Sequence, residues 1–138
     1  MSITAKAVPT AARMATLPKH FPSAFMHFEN ACYAFAAHLS EDYSGAYWQF
    51  VELSNGGFFM YPEQPTVNAS ANYTEGELTG EGFGIAVCLM VYSNLSFQLQ
   101  GAARETMANN YYLLREYLYD AWGLEHREDS ALITRLID

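Results

Sequence analysis

The chain of 138 residues is short of charge, of cations and of cysteine, and each shortage closes off a class of function. Lys and Arg number seven against fifteen Asp and Glu, and charged residues are only 16% of the total. The cations are unevenly placed. Residues 1–20 carry Lys6, Arg13 and Lys19 and no acid, while residues 21–138 hold four arginines and all fifteen acids, a balance of 4 − 15 = −11. A body of that charge repels nucleic acid, so no direct nucleic-acid binding is expected. It suits a basic partner, including a protein that itself binds DNA. The two cysteines, Cys32 and Cys88, both fall in apolar helical patterns. They read as free buried thiols in a reducing cytoplasm, not as a disulfide scaffold.

Long hydrophobic runs are also missing. The longest, "IAVCLMVY" at 85–92, is far short of the ~20 residues of a membrane span. The N-terminal "MSITAKAVPTAARMATLPKHF" has no apolar h-region, so no secretory signal is expected. Pro9 and Pro18 argue against a regular transit-peptide helix. Residues 1–20 therefore read as a flexible arm ahead of a single domain over 21–138, a length that buries one sizeable core.

The usual signatures of catalysis are absent too. There is no Gly-x-Gly-x-x-Gly after a strand, no P-loop and no Cys-x-x-Cys. "TGEGFG" at 79–84 imitates a phosphate loop but carries Glu81 and no lysine, so an anion would meet a carboxylate. None of His20, His27, His38 and His126 forms an i, i+4 metal pair. His27 and His38 share a helix face but lie about 16 Å apart along its axis. "LEHRED" at 124–129 reads as a solvated turn between helices, not a metal site. Glu75 and Glu77 alternate on one strand face, but Thr74, Gly76 and Thr79 beside them indicate exposure, not a raised-pKa acid–base pair. Ser54, Ser93 and Ser96 lack a nucleophile-elbow context. No catalytic residue, metal or cofactor is assigned, and a non-enzymatic protein is expected.

What the sequence does have is aromatic surface. "YWQFVELSNGGFFMYP" runs from Tyr47 to Pro62. Ala46–Leu53 reads as a strand, Asn55-Gly56 as a two-residue type I′ turn and Gly57–Tyr61 as the return strand. That turn pairs Leu53 with Phe58 and Val51 with Met60 on one face. Glu52 then pairs with Phe59, and Phe50 with Tyr61, on the other, near Trp48. Both faces are apolar, so both need cover. Before the hairpin, Pro22-Ser23 opens a helix whose Phe25, Phe28, Cys32, Phe35 and Leu39 form one stripe. After it, Thr66–Tyr73 reads as a third, edge-like strand and Glu75–Leu78 as a short fourth. Thr79 caps a helix to about Gln98 that is apolar nearly all round. Ala103–Trp122 forms a long helix with Gly123 as its C′ residue, and Asp129 or Ser130 caps a last one. The expectation is an α+β fold: a small antiparallel meander of three to four strands packed with about four helices.

Glu52 stands out in the apolar hairpin. An unpaired buried carboxylate costs several kcal/mol or stays protonated, so it needs a partner. The backbone amides of the hairpin turn are the simplest one. A role facing a ligand or partner is the alternative. Tyr47, Trp48, Glu52, Asn55 and Tyr61 are the candidate partner-binding residues.

The same hairpin resembles the signature of the ArdB/KlcA antirestriction family, a near-identical Tyr-Trp-x-Phe-x-Glu-Leu-Ser-Asn-Gly-Gly-Phe element. "ATLPKHF" at 15–21 resembles the family's opening segment, "FENACYAF" at 28–35 its first helix and "GIAVCLMVYSNLSF" at 84–97 its central helix. "LLREY" at 113–117 and the terminal "ID" are similar to its end, so the resemblance spans residues 15–138. It implies a small, family-specific α+β fold. It also implies a plasmid or mobile-element protein, working in the bacterial cytoplasm, that relieves type I restriction of incoming unmodified DNA. It brings no established catalytic residues. DNA mimicry would need carboxylates spaced like phosphates, about one charge per 1.7 Å of duplex axis. The fifteen acids here are scattered through the sequence. The expected mechanism is therefore protein–protein contact, with the type I restriction–modification complex or a host protein controlling it, by a monomer or weak dimer. An acidic DNA mimic is one alternative. A hydrolase or small-ligand module built on the aromatic hairpin and Glu52 is the other, and it requires a pocket beside Trp48 and Tyr61.

Overall fold

Helix and strand order follows directly from the apolar patterns, with additions at the N-terminus. A computed structural model describes residues 2–138. Strand β1 (Ala5–Ala7) leads through a 3-10 turn (Thr10–Ala12) to helices α1 (Arg13–His20) and α2 (Phe25–Leu39). Strands β2 (Trp48–Leu53), β3 (Phe58–Pro62), β4 (Thr66–Ala71) and β5 (Thr74–Thr79) follow. Helices α3 (Gly80–Gln98), α4 (Gly101–Leu118), α5 (Ala121–Glu125) and α6 (Arg127–Ile137) complete the chain. The fold is α+β as expected, but the strands form two antiparallel sheets, β1-β2-β3 and β4-β5, in place of one meander.

The Asn68 amide on β4's outer edge donates to Asp42 Oδ2 (3.1 Å), so a side chain takes the place of another strand. The β4–β5 turn is Asn72-Tyr73, with φ of 50° and 60°. This is the type I′ geometry expected at Asn55-Gly56.

At Asn55-Gly56 the loop is one residue longer. The Leu53 amide donates to Gly57 O (2.9 Å) and the Gly56 amide to Leu53 O (3.0 Å), and of the loop residues only Gly56 has positive φ (93°). This is a three-residue loop, a type I turn followed by a left-handed glycine. The register is corrected accordingly to Glu52↔Phe58, Val51↔Phe59 and Phe50↔Met60. A one-residue slip exchanges faces. Phe58 and Met60 thus join Trp48 and Phe50, while Phe59 and Tyr61 join Val51 and Leu53.

Both faces and both edges of the hairpin are covered. Phe58 packs against Phe21, Phe28 and Phe50, and Phe59 stacks on Tyr117 of α4 (centroids 5.9 Å apart). Helix α3 lies along the free edge of β3. Tyr92 Oη donates to Phe58 O (2.6 Å), and Cys88 Sγ lies 3.4 Å from Met60 N and 3.6 Å from Met60 O. One turn earlier, Gly84 allows the approach, since a Cβ there would overlap Met60 O and Tyr61 Cβ. As expected, α3 is buried nearly all round, and Thr79 caps it by accepting from the Gly82 amide (3.0 Å).

The other edge of the hairpin corrects the reading of residues 1–20 as a flexible arm. Ala5–Ala7 pair with Leu53–Val51, the Val8 amide donates to Phe50 O (2.8 Å), and Val8, Thr16 and Leu17 are buried. An open strand edge leaves amides and carbonyls unpaired, and β1 satisfies them. Pro9 ends the strand, and Pro18 is accommodated inside α1. Met1 lies outside the described residues.

Near the C-terminus the expected helix over 103–122 stops at Leu118. Trp122 belongs to α5, where its Nε1 donates to Glu81, and Gly123 lies inside α5 instead of ending the longer helix. The turn at Tyr119-Asp120 turns α5 back, and α6 starts at Arg127, ahead of Asp129.

Candidate functional site

The five residues singled out in the hairpin serve different neighbours and do not converge. Trp48 is core, 3% exposed, with Nε1 donating to Tyr43 Oη (2.9 Å) and its ring edge-on to Tyr33 and Tyr43. Asn55 is a staple. Its Nδ2 donates to Leu113 O on α4 and its Oδ1 accepts from the Gly57 amide, both at 2.9 Å. Tyr61 is half-buried against α3. Burial pushes its hydroxyl pKa up, helped by Glu81 and Glu63. Tyr47, 54% exposed, and the partly exposed Glu52 present polar atoms to the outside.

Glu52 is paired, though not with the hairpin turn as expected. Its Oε2 lies 2.6 Å from Lys19 Nζ and 2.7 Å from His20 Nε2, both on α1. An ionised carboxylate only accepts, so Nε2 carries the ring proton. The Lys19 and His20 hydrogen bonds hold the Glu52 carboxyl below its usual range. Both partners lie in the segment whose sequence reads as a flexible arm.

A residue the sequence reading passed over lies at the same end of the fold. The Arg13 guanidinium sits 3.9 Å from the Phe50 ring centroid and 4.6 Å from that of Tyr47, between the two side chains. Its Nη1 is buried and has no hydrogen-bond partner among the described residues. An isolated cation in the mixed apolar segment "AARMATLP" was the available signal.

Of five grooves on the described surface, none is lined by Trp48 or Tyr61, while Glu52 lines one together with Lys6 and Lys19. No group of three or more His, Cys, Asp or Glu able to hold a metal occurs among the described residues. No described helix is long and apolar enough to cross a membrane.

The acids are dispersed and many are occupied. Eight of the fifteen accept hydrogen bonds within the chain. They are Glu29, Asp42, Glu52, Glu63, Glu75, Glu81, Asp120 and Asp129, and their donors run from the Ile3 amide to the Trp122 indole, with Asp42 and Glu75 sharing Asn68. Asp129 accepts from both the amide (3.1 Å) and the hydroxyl (2.6 Å) of Thr79.

Residues 41–138 match the family described as "Antirestriction protein". Antirestriction protein KlcA of Escherichia coli is 33% identical over 141 residues, covering 99% of this chain and 95% of that protein. The uncharacterized protein YafX of Escherichia coli strain K12 is also 33% identical, covering 99% and 88%. A solved structure superposes with a TM-score of 0.83 at 32% identity, covering 100% of this chain and 96% of the other. It belongs to work on KlcA and ArdB that describes a novel fold, with antirestriction activity against type I DNA restriction systems in vivo but not in vitro. The hairpin resemblance and the whole-chain matches agree, and the chain belongs to the antirestriction protein family.

Proposed function

We propose that the chain relieves type I restriction of incoming unmodified DNA by contacting a protein. That partner is the restriction–modification complex or a host protein that controls it, inside the bacterial cell. The observation that carries the mechanism is the dispersal of the carboxylates. DNA mimicry needs free charges in a continuous row, about one per 1.7 Å of duplex axis. Here eight acids are engaged by internal donors spread from the Ile3 amide to the Trp122 indole. Activity in vivo but not in vitro, described for KlcA and ArdB, supports a requirement for a cellular component. Burial of Trp48, Phe58, Phe59 and Met60 counts against the hydrolase or ligand-binding reading, which required a pocket beside Trp48 and Tyr61, and the protein is taken as non-enzymatic, a monomer or weak dimer.

The test is plating of unmodified phage on a type I restricting host with and without this protein. A gain in plating efficiency is expected, and no gain removes the function. The mechanism is tested separately with pure components. Strong, salt-sensitive binding to the restriction enzyme that duplex DNA competes away would return the mimic.

A further inference from the structure

We infer that the open edge of β1 is the partner-docking surface, and that the partner adds an extended segment there as a further strand, with an acidic residue opposite Lys6. The inference rests on the protein-contact reading above. The hydrogen bonds of the sheet fix which way β1 faces. The Ser54 amide donates to Thr4 O and the Val8 amide to Phe50 O, both at 2.8 Å. Lys6 lies opposite Glu52, midway between them. Thr4, Lys6 and Val8 therefore turn their backbone groups toward β2, and alternation along an antiparallel strand turns those of Ala5 and Ala7 outward. β1 is the edge of its sheet and its residues are exposed. The outward amides and carbonyls of Ala5 and Ala7 have no hydrogen-bond partner among the described residues, which makes them a template for another strand.

The open stretch is bounded at both ends. The next outward amide on one side, that of Ile3, is taken by Asp120 Oδ2 (2.7 Å). On the other side Pro9 has no amide proton. What fits between must donate and accept in alternation, as an extended polypeptide does. Phosphates only accept, so a nucleic-acid backbone would leave the two carbonyls unpaired. Charge then selects among polypeptides. Lys6 is exposed and forms no ion pair among the described residues, while its cross-strand neighbour Glu52 is held by Lys19 and His20. In the centred pairing of two copies, Lys6 of one would face Lys6 of the other. Like charges directly opposite destabilise a strand pair, and an acid opposite a lysine stabilises it. A groove of about 300 Å³ lies beside the strand on the Lys6 face, with Val8, Pro9, Ala12 and Ala15 among its lining. It receives an apolar side chain of the added strand opposite Val8.

The test is an NMR titration of the full chain with the capped peptide acetyl-Val-Thr-Glu-Thr-Val-amide, read at the Ala5 and Ala7 amides. The peptide should shift both saturably and slow their exchange with solvent. With Glu opposite Lys6, the two Thr amides face β1. Methylating both of those nitrogens should weaken binding at least about tenfold. Replacing the Glu by Lys should weaken it about two- to fivefold. Ala5→Pro removes one outward donor and spares the bonds to β2, a position where an edge strand tolerates proline. It should melt near wild type and bind the peptide at least about tenfold more weakly. The methylated peptide is compared on wild type alone, so it decides the point even if the variant fails to fold. No saturable shift at Ala5 and Ala7, or equal binding of the methylated peptide, overturns the inference. Shifts at these amides on concentrating the chain alone overturn it in favour of a second copy. Plating separates this inference from the proposed function. Wild type should protect phage, and folded Ala5→Pro should lose at least about tenfold of that gain. Equal protection by both overturns the edge alone. If wild type gives no protection the function fails, and the titration still decides the edge.

Discussion

His20 Nε2 sits 2.7 Å from Glu52 Oε2, with Lys19 Nζ on the same oxygen at 2.6 Å. This joins the N-terminal helix to the central strand through one carboxylate. The Lys19 and His20 hydrogen bonds lower the Glu52 pKa on folding. A depressed carboxyl pKa contributes stability that is present above the unfolded value, about 4.3, and is lost as pH falls through the folded one. Acid melting below about pH 4 should therefore be shallower in Glu52→Gln than in wild type. At pH 7 the variant should lose only about 0.5–1.5 kcal/mol, because the site is partly solvated. Thermal unfolding of both proteins from pH 3 to 7 checks this.

Deleting residues 2–9 distinguishes a packed terminus from a loose one. The deletion removes the β1 pairing with β2, the buried Val8 side chain and the Ile3 amide that donates to Asp120 (2.7 Å). The cost should be about 2–4 kcal/mol, and the bared β2 edge should promote aggregation. Lys6→Ala should change stability by less than about 0.5 kcal/mol, since the β1 side chains are exposed and its contribution is through the backbone. Denaturant melts with light scattering read both effects.

These two regions show what could be read in advance. The α2 stripe, the Thr79 cap and the all-round apolar run of α3 are local patterns, and they held. The Asn55-Gly56 turn was legible as a turn but not in its length. Asn55 is fastened to Leu113, 58 residues away, and that contact is not encoded in the dipeptide. Asp42 reaches the Asn68 amide at the outer edge of β4 from another part of the chain, and the Glu52 pairing depends on α1 packing over β2. Among the candidate site residues, Tyr47 remained exposed while Trp48 went into the core. Aromatic density signals burial more strongly than contact with a partner. Arg13 lies between Pro9 and Pro18 in a segment whose sequence reads as a tail.

Gly84→Ala should be among the most damaging single changes. An added methyl would overlap Met60 O and Tyr61 Cβ, at the point where α3 crosses the edge of β3. Neither neighbour is a side-chain tip able to swing away, so helix and strand must separate. Overpacking of this kind costs about 1–3 kcal/mol or more. Gly45→Ala is the contrast. No atom lies within 4 Å of its added Cβ, and only its positive φ of 80° opposes the change, a cost of about 1–2 kcal/mol. Matched melts of the two variants should rank Gly84→Ala lower.

Tyr92 closes the β3 edge from a fully buried position, stacked on Phe28 with centroids 5.2 Å apart and donating to Phe58 O (2.6 Å). Tyr92→Phe keeps the ring and removes the donor, leaving that carbonyl without its partner. The loss should be about 1–3 kcal/mol at neutral pH. The alkaline limb should change as well. Burial pushes the Tyr92 hydroxyl well above its ordinary value of 10.0. A raised pKa gives stability that is full below the unfolded value and is lost as pH climbs beyond it. Wild type should therefore lose stability above about pH 10, and Tyr92→Phe should lose less over the same interval. Some slope should persist in the variant, because Tyr33 and Tyr117 are also pushed up to about 12, mainly by burial. Urea melts at pH 8 to 11 give both quantities. A variant curve parallel to wild type across that interval would mean that Tyr92 ionises as freely in the folded protein as in the unfolded chain.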